Sequence, residues 1–107
     1  MKKRAYVSLP ITGRRTEEAR EHADRVKAAL SRRGFEVTTP FDICHVDAPE
    51  YADYIGADIT VMLKQDVVCF CKGWEDSFGC QMEKSVLEIW NAKMATERKP
   101  LIPAIYE

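Results

Sequence analysis

The chain has 107 residues, a length that fits one domain over 1–107 with a single modest core. Its formal net charge of −1 excludes a nonspecific nucleic-acid binder, which needs a basic excess. No apolar run is long enough to span a bilayer, and the basic MKKR start leads into AYVSLP, too short and polar for a signal-peptide core, so a cytoplasmic location with reduced thiols is expected.

RAYVSL (residues 4–9) is a short apolar run ended by Pro10 and Gly13, and it reads as a first strand. TEEAREHADRVKAALSRRG follows as a helix. Thr16 is the expected N-cap, Glu17 and Glu18 suit the positive helix start, and Ala19, Ala23, Val26 and Leu30 form the buried stripe until Gly34 stops it. FEVTTP is a second strand. FDICHVDAPEYAD (41–53) is a loop longer than most, with Pro49 placed to open the next helix. That helix carries Ala52, Ile55, Ile59 and Leu63 on its inner face, with Asp58 at the stripe's edge. DVVCFC (66–71) is a third strand, so apolar throughout that both of its faces are expected to be covered. A further helix and a fourth strand, PLIPAI, complete the chain. The alternation implies an α/β three-layer sandwich with four or five parallel strands, flavodoxin- or Rossmann-like. In such folds ligands bind beyond the carboxyl ends of the strands, at the loops that open the helices.

Three of those loops matter, and one of them, the long loop from Phe41 to Asp53, has the length expected of an active-site wall, which is also the length of a floppy connection. The first, SLPITGRR, lacks both GxGxxG and GxxxxGK, so neither a dinucleotide nor a nucleoside triphosphate is indicated. A helix start with Arg14 and Arg15 fits one phosphate, and fits a solvated turn equally well. The third loop opens KGWEDSFGCQMEKSVLEIW (72–90). Gly73 and Gly79 relax its backbone, Ser77 is an N-cap, and Trp74 offers a flat apolar surface. Beyond it, Val86, Leu87, Trp90 and Met94 recur at helical spacing, and Glu83 falls in the middle of their face. An unpaired charge there costs on the order of several kcal/mol. Either Glu83 is tied to a buried tyrosine or arginine that holds the layers together, or it stands at a pocket's edge as a nucleophile. Asp58 would then supply a second carboxylate, and paired carboxylates around an anomeric carbon cleave glycosidic bonds. Cys44, His45, Cys69, Cys71 and Cys80 show no CxxC or matching histidine spacing and read as core rather than metal ligands.

With YVSLPITGR (6–14) and ADITVMLKQDVVCFCKGWEDSFGCQMEKS (57–85), the chain resembles the nucleoside 2-deoxyribosyltransferase superfamily over nearly its whole length. It is most similar to the small deoxyribosyltransferase-like domains of unknown function, and more distantly to the 2′-deoxynucleoside 5′-phosphate N-hydrolases. The resemblance implies cleavage or exchange of the N-glycosidic bond of a (deoxy)nucleoside or its monophosphate, with no cofactor or metal. Glu83 would be the nucleophile that forms a deoxyribosyl ester, Asp58 the carboxylate that handles the sugar and assists departure of the base, and Tyr6 the hydroxyl that orients Glu83. Ser8, Gly13, Arg14, Trp74, Ser77 and Gly79 would be substrate-binding. The expected partner is a small-molecule nucleoside or nucleotide. A homodimer through the second and third helices is also expected, with Met62, Met82 and Ile89 as its outward apolar residues.

The chain departs from the family pattern in places. Leu9 stands where the first loop usually has glycine, which narrows the pocket. Pro10 and Thr12 stand where the phosphate-binding hydrolases carry a serine and an arginine, so the need for a 5′-phosphate is open. Two further readings stand beside the enzyme: a non-catalytic nucleotide-binding module, and a structural domain in which Glu83 is a core ion pair.

Overall fold

A computed structural model describes residues 2–107; Met1, the first residue of the expected 1–107 domain, lies outside the described residues. Alternation along the first strand organises the molecule. In β1 (Arg4–Ser8) and the residue that follows, Ala5, Val7 and Leu9 face one way and Tyr6 and Ser8 the other. The same parity holds in β3 (Val67–Phe70), whose Val67 and Cys69 share the first face while Val68 and Phe70 share the second. All of these residues are buried, as the unbroken apolar run of the third strand requires.

With β2 (Glu36–Thr38) and β4 (Ala104–Tyr106), these strands form an all-parallel sheet in the order β2-β1-β3-β4. The register sets Tyr6 beside Val68 and Ser8 beside Phe70. Helix α1 (Thr16–Arg32) covers the first face, bringing Ala19, Ala23, Val26 and Leu30 onto Val7 and Cys69. Helices α2 (Tyr51–Met62) and α3 (Phe78–Thr96) cover the second, where Met62 and Leu87 pack on Tyr6, Val68 and Phe70. The result is a three-layer flavodoxin-like α/β fold. The chain leaves β1 towards β2 on one side and leaves β3 towards β4 on the other. Its topological switch point therefore lies between the carboxyl ends of β1 and β3, where open α/β sheets bind ligands.

Several boundaries differ from the sequence pattern. Arg15, not Thr16, is the N-cap of α1 and gives no side-chain cap; Thr16 is the first helical residue. The second strand is shorter than 35–40 because Thr39 opens a short 3-10 turn, Pro40–Asp42. The Asp42 carboxylate there accepts the Thr39 N–H at 2.9 Å and the Lys27 ammonium at 3.0 Å. Helix α2 begins with Glu50 as its cap, so Pro49 precedes the cap, and the helix already includes the last residues of the expected loop. Ala52 is exposed, whereas Met62, expected to face outward, is fully buried because it lies one turn beyond Ile59, on the stripe that meets the sheet. Of the expected outward trio, Met82 is half-buried and Ile89 is 72% exposed. The fourth strand starts only at Ala104, its approach held by Asn91, whose side chain accepts the Ile102 N–H at 2.9 Å and donates to the Ile102 carbonyl at 2.8 Å. Among the described residues no helix is long and apolar enough to cross a membrane.

Candidate active site

Two periodicities converge on Glu83. The period of two sets Tyr6 and Ser8 on the α3 side of β1, near its carboxyl end. The period of 3.6 sets Cys80, Glu83 and Leu87 on the sheet side of α3. The carboxylate, 4% exposed, is gripped at both oxygens: the Tyr6 hydroxyl donates to Oε2 at 2.8 Å and the Ser8 hydroxyl to Oε1 at 2.6 Å. Burial pushes the Glu83 carboxyl up to about 7, and the nearby Asp58 charge adds to the rise. The two hydroxyls pull the other way because they bond best to the ionised form. No ion pair reaches Glu83 among the described residues, so of the two buried partners the core alternative offered, an arginine is absent and a tyrosine, Tyr6, is present. Burial, and then the Glu83 charge, raise the Tyr6 phenol well above its usual range, which keeps it a donor.

Beside this carboxylate lies a cavity of about 480 Å³, within the size range of small-molecule sites. Tyr6 and Glu83 form its floor, and Asp58 of α2 and Cys80 stand on its wall. Burial lifts the Asp58 carboxyl to about 7. Its Oδ1 faces Nε2 of His45 at 3.8 Å, too far for a hydrogen bond, and neither atom has another partner among the described residues. Ser77 caps α3, accepting the Cys80 N–H at 3.3 Å. Gly79 brings α3 close to α2: a Cβ there would rest in ordinary contact, 3.4 Å from the Tyr51 hydroxyl and 3.5 Å from Ile55 Cδ1.

Of the residues singled out from sequence, Tyr6, Asp58, Ser77, Gly79 and Glu83 line this one cavity. Ser8 does not; it is fully buried behind Glu83 and holds it. Gly13 supplies a positive φ of 81° to the turn before α1, off the cavity wall. The Arg14 guanidinium turns away, donating to the Pro10 carbonyl at 2.8 Å and lying 3.2 Å from His22 Nδ1. Trp74 also lies outside the cavity. It packs on Phe70 at 5.4 Å and Tyr106 at 5.9 Å, and Lys84 caps this cluster by donating to the Tyr106 hydroxyl at 2.7 Å.

The long segment after β2 is a cavity wall, the first of the two readings its length allowed. Phe41, Ile43 and His45 wall the cavity, and Tyr51 and Tyr54 at the start of α2 form its half-exposed rim. The density of aromatic residues in FDICHVDAPEYADY was the available signal. Cys80 shares the cavity lining with His45, whereas Cys69 and Cys71 are buried toward α1 and Cys44, against the core reading, is exposed. Among the described residues no three metal-ligating side chains converge.

A two-hydroxyl grip on one buried carboxylate, with a second carboxyl on the same cavity wall, equips the site for nucleophilic or acid–base work at a small polar molecule. No curated protein and no solved structure matches the chain. A family model described as "Domain of unknown function (DUF4406)" matches residues 3–96. That match spans most of the sequence, and the chain belongs to the DUF4406 family.

Proposed function

We propose that the protein cleaves or exchanges the N-glycosidic bond of a nucleoside or nucleotide, with Glu83 as the nucleophile, as the resemblance to nucleoside 2-deoxyribosyltransferases implies. The observation that carries this reading is the Glu83 carboxylate, held at both oxygens by Tyr6 and Ser8 and open to a cavity rather than to a cation. A carboxylate so fixed attacks the anomeric carbon with little reorganisation. The C–N bond breaks as the Glu83 ester forms, and the bonding pair leaves on the base nitrogen. Asp58, raised to about 7 and free of hydroxyl donors, carries the proton that neutralises the departing base. Water or a second base then attacks the same carbon and frees Glu83, so configuration is retained over two displacements. The aromatic walls offer faces on which a base can stack. In this reading the protein works as a homodimer, and the exposed Ile89 on α3 is its candidate contact.

The test is release of base from a panel of nucleosides and their 5′-monophosphates, with and without a free acceptor base, followed by chromatography. Glu83→Ala abolishes turnover, and Asp58→Asn lowers it by roughly a hundredfold. Tight binding of these compounds without any base release would make the protein a nucleotide-binding module instead. Neither binding nor release would end the nucleoside reading.

A further inference from the structure

We propose that the cavity takes an uncharged nucleoside and rejects its 5′-phosphorylated form; this rests on the reading just given and names its substrate class. The charged side chains that line the cavity are acidic; the Arg20 guanidinium comes close but lies over the Phe41 ring, 4.5 Å from its centroid, and is not itself part of the lining. Two carboxyls, Asp58 and Glu83, stand on its wall, and no lysine or arginine lines it among the described residues. His45 is the one lining side chain able to carry positive charge, and Asp58 lies 3.8 Å away to meet it.

Three helix starts reach the cavity, at Thr16 of α1, Tyr51 of α2 and Ser77 of α3, and helix starts are where a phosphate ordinarily finds backbone N–H groups. Two of them carry acidic side chains in the first turn: Glu17 and Glu18 in α1, and Asp53 in α2. The first turn of α3 has none; its Cys80 N–H is taken by the Ser77 side chain at 3.3 Å, and Glu75 and Asp76 immediately precede that cap in sequence. The arginines ahead of α1 are committed elsewhere. Arg14 is tied to the Pro10 carbonyl at 2.8 Å, and Arg15, 74% exposed, pairs with Glu17 at 3.4 Å and Glu18 at 3.7 Å. Thr16, the first residue of α1, presents a neutral side chain to the cavity.

A phosphate monoester carries a charge of about −1.5 to −2 at neutral pH. Once the pH is high enough to ionise both carboxyls, which burial lifts to about 7, bringing it into this surround sets like charges side by side, a penalty that weakens binding by roughly a hundredfold. A neutral nucleoside meets no such penalty. Its sugar hydroxyls are donors for the unpartnered Asp58 Oδ1, and its base has the aromatic rings of Phe41, Tyr51 and Tyr54 to lie against.

The experiment titrates the wild-type protein calorimetrically with carbon-linked nucleosides, purine and pyrimidine, whose base cannot leave, and with the 5′-monophosphate of each. It is run above the pH of about 7 at which the two carboxyls titrate, at low and at high salt, alongside base release from ordinary nucleosides. The expected result is a Kd for at least one nucleoside roughly a hundredfold below that of its monophosphate, with the gap narrowing as salt screens the repulsion. A monophosphate that binds as well as or better than its nucleoside overturns this inference and leaves the N-glycosidase reading standing. A gap that salt does not narrow overturns the electrostatic basis and with it the proposal. Nucleoside binding without base release supports the inference and removes the catalytic reading. If no member of any pair binds, both fall.

Discussion

Replacing Glu83 by glutamine separates the cost of its charge from the value of its hydrogen bonds. In the unfolded chain the carboxyl titrates near its ordinary 4.5; in the folded protein burial raises it to about 7. Between these values the folded state holds a proton that the unfolded state has lost, so stability falls as pH rises through the window. The full loss, reached above the folded pKa, is about 3 kcal/mol. Glutamine is neutral throughout. Its carbonyl can accept from one hydroxyl and its amide can donate to the other, because serine and tyrosine hydroxyls both donate and accept. Glu83→Gln is therefore expected to match wild type near pH 4.5. At pH 8 it should exceed wild type by about 3 kcal/mol, or roughly 10–20 °C in Tm for a domain of this size. Urea denaturation at the two pH values, followed by tryptophan fluorescence, reads the difference directly. A variant less stable than wild type by about 3 kcal/mol at both pH values would refute the reasoning, because that is the signature of a buried carboxylate compensated by a cation. So would a difference that does not change with pH.

Tyr6→Phe and Ser8→Ala each remove one of the donors that hold the Glu83 carboxyl down, so each should move it further above 7. The acid limb of the pH–rate profile for base release is then expected to shift upward, with kcat reduced roughly tenfold or more; an unshifted limb would show that the donors do not act on the nucleophile. Ile89→Glu is expected to convert the proposed homodimer to monomer in light scattering at micromolar concentration, and a wild-type monomer under the same conditions would end the dimer proposal.

The fold was legible because its layers are written in simple periods. The apolar DVVCFC run could only be a doubly covered strand, and the spacing of Ala19, Ala23, Val26 and Leu30 could only be one buried helical stripe. Glu83 stood out for the same reason, as a charge interrupting an apolar face. Ser8 was named, but its place behind the carboxylate depends on how β1 meets α3 across the sheet, a distance no local pattern encodes. Trp74 misled because a loop tryptophan reads as a binding platform, whereas its rings belong with Phe70 and with Tyr106 from the far end of the chain. His45 was illegible because its loop has no period, and Tyr54 because it stands off the apolar stripe of α2; their rings meet, with centroids 4.5 Å apart, only in the folded chain, where both line the cavity.

Alternation in β1 divides the protein's tolerance of change. Ala5 and Val7 belong to the α1 side and Tyr6 and Ser8 to the carboxylate side, so the first pair can be redesigned without disturbing the second, whereas Leu9 packs under α1 and also lines the cavity. Volume-conserving swaps among the aliphatics under α1 usually cost less than about 1.5 kcal/mol, which makes that layer tolerant of substitution. Changes in length are another matter. One residue inserted into or deleted from β1 ahead of Tyr6 would rotate the phenol and the hydroxyl toward α1 and bring aliphatic side chains beneath Glu83. The strand admits rewriting on one face, but no change in its count.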